Sequence, residues 1–194
     1  MNFPTYLLLG LGNPGREYAG NRHNIGFIFI DRLCVRLNAR GLKMQSNAIV
    51  TSAFHEGMKL VLAKPQTYMN LSGRAAQGLA HFYKVPLAHV LVAHDDLDLP
   101  FGTLRLRPGG GPGGQKGVAS AIERLWSRDF ARLRFGIGRP PGRMDPADYV
   151  LQDFSGDQLE RLGDVLERGV DAALAFVAQG LDRAMNQYNG EPQA

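Results

Sequence analysis

The sequence predicts a single α/β domain over residues 1–194, a twisted mixed β-sheet flanked by helices. Three observations carry that expectation. Apolar runs of strand length alternate with segments of helical period. Two of the runs are joined by only four residues, which brings an antiparallel pair into the sheet. Several polar signatures fall just after strands, where open α/β sheets place their ligand crevice.

Taken in order, strands are expected at residues 6–11, 48–54, 59–63, 90–93 and 133–137. The first ends at Gly12-Asn13-Pro14-Gly15 and reads as a buried strand entering a turn. Residues 25–37 place Phe27, Ile30, Leu33, Cys34 and Leu37 at three- and four-residue spacing, so an amphipathic helix follows, with its amino end at His23 and Asn24. His55-Glu56-Gly57-Met58 is short enough for a hairpin turn. Asn70 and Ser72 offer cap oxygens for a helix over 75–83. Residues 108–114, rich in Gly and Pro, form a loop before a helix over 118–125. Ser155 with Gln158 has the capping-box pattern ahead of 159–166, and helical spacing continues over 169–187.

Composition narrows the class. With 44% hydrophobic residues, the chain can bury a substantial core. No apolar run reaches the roughly 18 residues that cross a membrane, and the amino terminus lacks the charged-then-apolar plan of a secretory signal. A lone cysteine, Cys34, excludes a disulfide framework; a buried inert thiol and a cytoplasmic location are expected. The 22 Lys and Arg against 18 Asp and Glu suit an anionic partner. The excess is concentrated: residues 102–143 hold nine Lys and Arg against Glu123 and Asp129.

Four polar blocks can carry chemistry. Gly10-Leu11-Gly12-Asn13-Pro14-Gly15 matches a dinucleotide fingerprint in form, but Pro14 has no amide hydrogen, residues 16–22 delay the helix, and no acidic residue stands about 20 positions on at the end of a second strand. An oxidoreductase is therefore only a minor alternative. Arg22-His23-Asn24 and Ala93-His94-Asp95-Asp96 supply a histidine and a carboxylate. Spacing leaves two readings open: His23 as a general base oriented by Asp95, or a helix cap and a turn cap. Asn70, in Thr67-Tyr68-Met69-Asn70-Leu71-Ser72-Gly73, can hold a peptide group without titrating, or cap a helix. No metal-ligand spacing and no G-x-S-x-G nucleophile elbow is present, so neither a metal nor another cofactor is expected.

These blocks, followed by the glycine-rich loop and Arg132-Leu133-Arg134-Phe135-Gly136-Ile137-Gly138, resemble the bacterial peptidyl-tRNA hydrolase family over residues 7–154. The resemblance implies hydrolysis of the ester in N-blocked aminoacyl-tRNA and peptidyl-tRNA, releasing peptide and free tRNA for recycling in translation. It makes His23 the catalytic base and Asp95 its support. It links Asn13 to sensing a blocked peptide amine, Tyr68 and Asn70 to contact near the scissile ester, and Tyr18 to tRNA. Arg105, Arg107 and Arg134 match basic positions near the tRNA stem. A cytoplasmic monomer without a membrane partner is implied.

One departure stands out. The family's loop commonly reads G-G-G-H-G-G-H-N-G, whereas this chain has Gly109-Gly110-Gly111-Pro112-Gly113-Gly114-Gln115-Lys116-Gly117, so the family's substrate-contacting asparagine has no counterpart. Lys116 is expected either to meet a phosphate or to be solvated. The second function class is a non-catalytic RNA-binding relative, since the segment at 138–146 is similar to one in a chloroplast intron-splicing factor. The retained Asn13, His23, Asn70 and Asp95 favour the enzyme, because RNA binding alone gives no reason to assemble a base, its carboxylate and two amides.

Overall fold

The computed structural model describes residues 3–191. A seven-stranded sheet has the spatial order β2-β3-β4-β1-β5-β7-β6 among these residues. Its strands are β1 (Thr5–Gly10), β2 (Arg40–Gln45), β3 (Ala48–His55), β4 (Met58–Pro65), β5 (Val90–Asp96), β6 (Leu104–Arg107) and β7 (Ala131–Gly136). β4, β1, β5 and β7 run parallel in the centre. β3 and β6 pair antiparallel to their inner neighbours, and β2 pairs antiparallel to β3, which makes the sheet mixed.

Helices cover both faces. α1 (Ile25–Arg36), α5 (Asp157–Gln179) and α6 (Leu181–Tyr188) pack on one side with Leu8, Leu91 and Phe135. α2 (Gly73–Phe82) and α3 (Lys116–Leu125) cover the other with Leu7, Leu9 and Val92. A short α4 (Pro146–Val150) precedes α5. This two-sided covering explains why β1 reads as an unbroken apolar run: Leu7, Leu8 and Leu9 are all fully buried, and each such side chain contributes about 1.5–3 kcal/mol relative to exposure.

All five expected strands form. β3 and β4 join through Glu56 (φ 46°) and Gly57 (φ 78°), the two positive φ values that match a tight turn to strand twist. β2 and β6 are not among the expected strands. β2 is an exposed edge strand without clear alternation, so it carries no burial signal. β6 does alternate, with Leu104 and Leu106 inward and Arg105 and Arg107 outward, but four residues are too few to stand out.

Local expectations fail where tertiary contacts claim the polar groups. Ser72 does not cap α2; its hydroxyl donates to the Met69 carbonyl, while Asn70 lies exposed in the preceding 3-10 turn. The capping box at Ser155 and Gln158 does not form either. Gly156 takes the cap position of α5, and Gln158 accepts from the Arg22 guanidinium. The helical run over 169–187 breaks at Gly180 (φ 89°), separating α5 from α6. Cys34 is half-buried rather than buried; burial, then Asp31, raises its pKa and keeps the thiol protonated.

Gly10-Leu11-Gly12 has a packing role. A methyl group on residue 10 would overlap the Gly26 carbonyl, so glycine is what lets α1 cross closely over the end of β1. That approach brings the amino end of α1 to the ends of the parallel strands, beside the point where β1 has β4 on one side and β5 on the other.

Candidate active site

The carboxyl ends of β1, β4 and β5, the loop before α3 and the face of α4 enclose a cleft of about 650 Å³. Asn13, His23, Tyr68, Asn70, Asp95 and Lys116 all line it, so six of the sequence-selected residues share one space. Leu97, Val150 and Leu151 add apolar wall, as a site that holds organic substrate requires.

His23 lies in a 3-10 turn, Arg22–Asn24, directly before α1. Its Nδ1 is 2.8 Å from Asp95 Oδ2. An ionised carboxylate only accepts, so Nδ1 carries the proton and Nε2 is left as the basic atom. Asp95 is 4% exposed at the end of β5. Its other oxygen, Oδ1, accepts from Gln115 Nε2 at 3.1 Å. Gln115 in turn caps α3, accepting the Val118 amide at 2.9 Å. The fold thus brings His23 and Asp95, separated in sequence, into direct contact.

Asn13 and Asn24 are locked together. The Asn13 amide donates to Asn24 Oδ1 and the Asn24 Nδ2 donates to the Asn13 carbonyl, each at 2.9 Å. Asn13 Oδ1 accepts from the Met69 amide at 2.8 Å. Its Nδ2 therefore remains as a donor at the cleft, without a partner among the described residues. This clamp pins the loop after β1 to the segment carrying Tyr68 and Asn70.

Two further buried groups support the dyad's backbone. Arg22, 5% exposed, donates to Gln158 and to the carbonyls of Gln152 and Asp153, and its guanidinium stacks 4.3 Å from the Tyr149 ring centroid. It anchors the His23 turn to α4 and the start of α5. His94 donates from Nδ1 to the Asp95 carbonyl at 2.7 Å. Burial lowers its pKa, against the opposing pull of Asp95 and Asp96, so it stays neutral.

The basic residues divide. Arg105 and Arg107 are exposed on the edge strand β6, with no acidic partner among the described residues. Arg134 lies opposite Arg105 on β7, and its Nε meets Asp96 Oδ2 at 2.5 Å, so its charge is already matched. Arg132, buried and opposite Arg107 in the strand register, donates to the Gly110 and Gly111 carbonyls and fixes the glycine-rich loop. Burial lowers its pKa, and Arg134, Arg107 and Arg128 add to that effect. Tyr18 lies in a separate 3-10 turn outside the cleft lining. Among the described residues, no three His, Cys, Asp or Glu side chains gather to hold a metal, and no helix is long and apolar enough to cross a membrane.

The profile of the peptidyl-tRNA hydrolase family matches residues 7–194. The chain belongs to the peptidyl-tRNA hydrolase family. The peptidyl-tRNA hydrolase of Frankia alni is 45% identical over 192 residues, covering 97% of this chain and 98% of that protein. The peptidyl-tRNA hydrolase of Mycobacterium tuberculosis is 47% identical over 184 residues, covering 94% and 96%. The crystal structure of the Acinetobacter baumannii peptidyl-tRNA hydrolase superposes with a TM-score of 0.89 at 33% identity, covering 97% of each chain. The peptidyl-tRNA hydrolase family thus accounts for the whole sheet and its helices.

Asn24, Arg22 and Gln115 join this site without having been among the expected site residues. Asn24 stands in a motif already singled out, but nothing local marks a side chain that bonds eleven residues back. Gln115 shows in the sequence only as a departure in the glycine loop.

Proposed function

We propose that the chain hydrolyses the ester between a peptide and the terminal ribose of tRNA, with His23 as general base and Asp95 as its support. The observation that carries this reading is the 2.8 Å His23–Asp95 pair on the wall of the cleft, which leaves Nε2 as the ring's basic atom. Nε2 takes a proton from water as its oxygen attacks the ester carbonyl. The tetrahedral intermediate collapses, the ribose oxygen leaves with the proton returned by the imidazolium, and peptide acid and tRNA are released. Asp95 stabilises the imidazolium between those steps.

The remaining roles follow from position. Asn13 presents Nδ2 to a peptide carbonyl, and Asn70 and Tyr68 flank the same space. An N-blocked amine fits these neutral amides, whereas a free ammonium would need a charge partner. Arg105 and Arg107 meet acceptor-stem phosphates from the exposed edge, Arg134 contributes through its pair with Asp96, and Lys116 meets a phosphate at the cleft mouth. Tyr18 contacts tRNA away from the cleft. One chain supplies every group named, which supports action as a monomer, and the substrate and lone Cys34 support a cytoplasmic location. The family match and the assembled dyad favour catalysis over RNA binding alone.

The test is release of peptide from N-blocked aminoacyl-tRNA, with chelator present, for the native chain and His23→Ala. Release by the native chain and its loss in the variant, with tRNA binding retained, is the expected result. Normal turnover by His23→Ala would remove the base assignment.

A further inference from the structure

We infer that Gln115 is a positioning residue for the catalytic pair, an amide strut that orients the Asp95 carboxylate from the amino end of α3. The inference rests on the assignment of His23 and Asp95 above.

Gln115 is 8% exposed, and its amide can sit only one way. Oε1 accepts from the Val118 amide at 2.9 Å, a group that can only donate, so Nε2 must face the other side. There it donates to Asp95 Oδ1 at 3.1 Å and lies 3.3 Å from Met69 Sδ. With His23 on Oδ2, both carboxylate oxygens are engaged by donors, and the plane of Asp95 is defined by two elements distant in sequence. Met69 is also the residue whose backbone amide holds Asn13 Oδ1. The strut therefore links the base's support to the clamp that orients the peptide-binding amide. An amide does this without titrating, so the strut persists across the working pH range.

The charged and titratable groups facing the pair are few. Asp96 is matched by Arg134, and Asp98 by Arg139. His94 stands behind Asp95 on the same strand. Lys116 stands beside Gln115 on α3, and Arg22 turns away toward Gln158. Gln115 is the side chain that contacts Asp95 Oδ1 among the described residues.

The experiment compares the native chain, His23→Ala, Gln115→Met, Gln115→Glu and Gln115→His in release of peptide from N-blocked aminoacyl-tRNA, measuring kcat, KM and the pH profile of kcat/KM. Gln115→Met removes the donor at similar size, and kcat should fall at least about 10-fold with KM nearly unchanged. Gln115→Glu keeps an acceptor for the Val118 amide but sets an anion against Asp95. It should lower kcat/KM at neutral pH and move the acid limb upward by about half a pH unit or more, because the added charge favours the imidazolium. Gln115→His restores a donor and should regain kcat relative to Gln115→Met. A helix cap alone would leave kcat of Gln115→Met near the native value, and that result overturns the inference. A raised KM with native kcat in Gln115→Met also overturns it, by making Gln115 a substrate contact. Turnover retained in His23→Ala would instead sink the base assignment itself.

Discussion

His23 Nδ1 lies 2.8 Å from Asp95 Oδ2, although the two residues are 72 positions apart in the chain. Asp95 has only carboxylate oxygens to offer, and Gln115 donates to the second of them, so the direction of every proton in this chain of contacts is determined.

Asp95→Asn should be far more damaging than its small change in shape suggests. The Gln115 donor will draw the new amide oxygen, which turns the Asn NH2 toward His23. Nδ1 must then accept, the ring proton moves to Nε2, and the base is blocked. Single-turnover release of peptide should fall about 10²–10⁴-fold, the range for loss of general-base catalysis. A decrease of less than about 10-fold would mean that Asp95 does not set the tautomer.

Asn24→Ala tests the clamp on Asn13. It removes two hydrogen bonds and leaves the Asn13 amide without its acceptor, a cost of about 1–3 kcal/mol for a buried donor. Denaturant unfolding should show that destabilisation, and KM should rise because the loop bearing Asn13 is no longer held. Unchanged stability and KM would show that the loop is fixed by its other contacts.

The basic edge predicts a pattern in salt dependence. Arg105→Gln and Arg107→Gln should each weaken tRNA binding and reduce the slope of log affinity against log salt by about 0.7–0.9 for each phosphate no longer neutralised. Lys116→Ala should do the same if its ammonium meets a phosphate, and an unchanged slope would remove that role. Arg134→Gln should lower activity as well as affinity, because it also frees Asp96 beside the dyad.

His94 predicts a pH effect on stability. Its folded pKa lies below the ordinary value of 6.5, with burial as the main cause. Below about 6.5 the unfolded chain takes up a proton that the folded chain refuses, so stability falls with falling pH by up to about 1.4 kcal/mol per unit. His94→Asn keeps a donor for the Asp95 carbonyl but cannot titrate. Its unfolding free energy should vary less than the native protein's between about pH 7 and pH 5. Parallel curves for the two proteins would contradict the buried neutral state.

Apolar periodicity and the order of four polar blocks were enough to give the α/β class, the five inner and hairpin strands, and the family. Those signals are local: a strand buried on both faces must be apolar, and a two-residue hairpin turn must accept positive φ, whatever else the chain does. The side-chain partnerships came only with the packed fold. Ser72 and Gln158 read locally as caps, yet Ser72 serves Met69 and Gln158 serves Arg22. The resemblance sets Arg134 among basic positions near the tRNA stem, yet strand pairing of β5 with β7 sets it against Asp96. Asn24 stands in the Arg22-His23-Asn24 block and Gln115 in the glycine-rich loop, yet nothing local shows that one holds Asn13 and the other holds Asp95. A buried polar group must find a partner, and which partner it finds depends on strand order and on how closely α1 and α3 approach the sheet. Those are long-range properties, which no window of sequence contains.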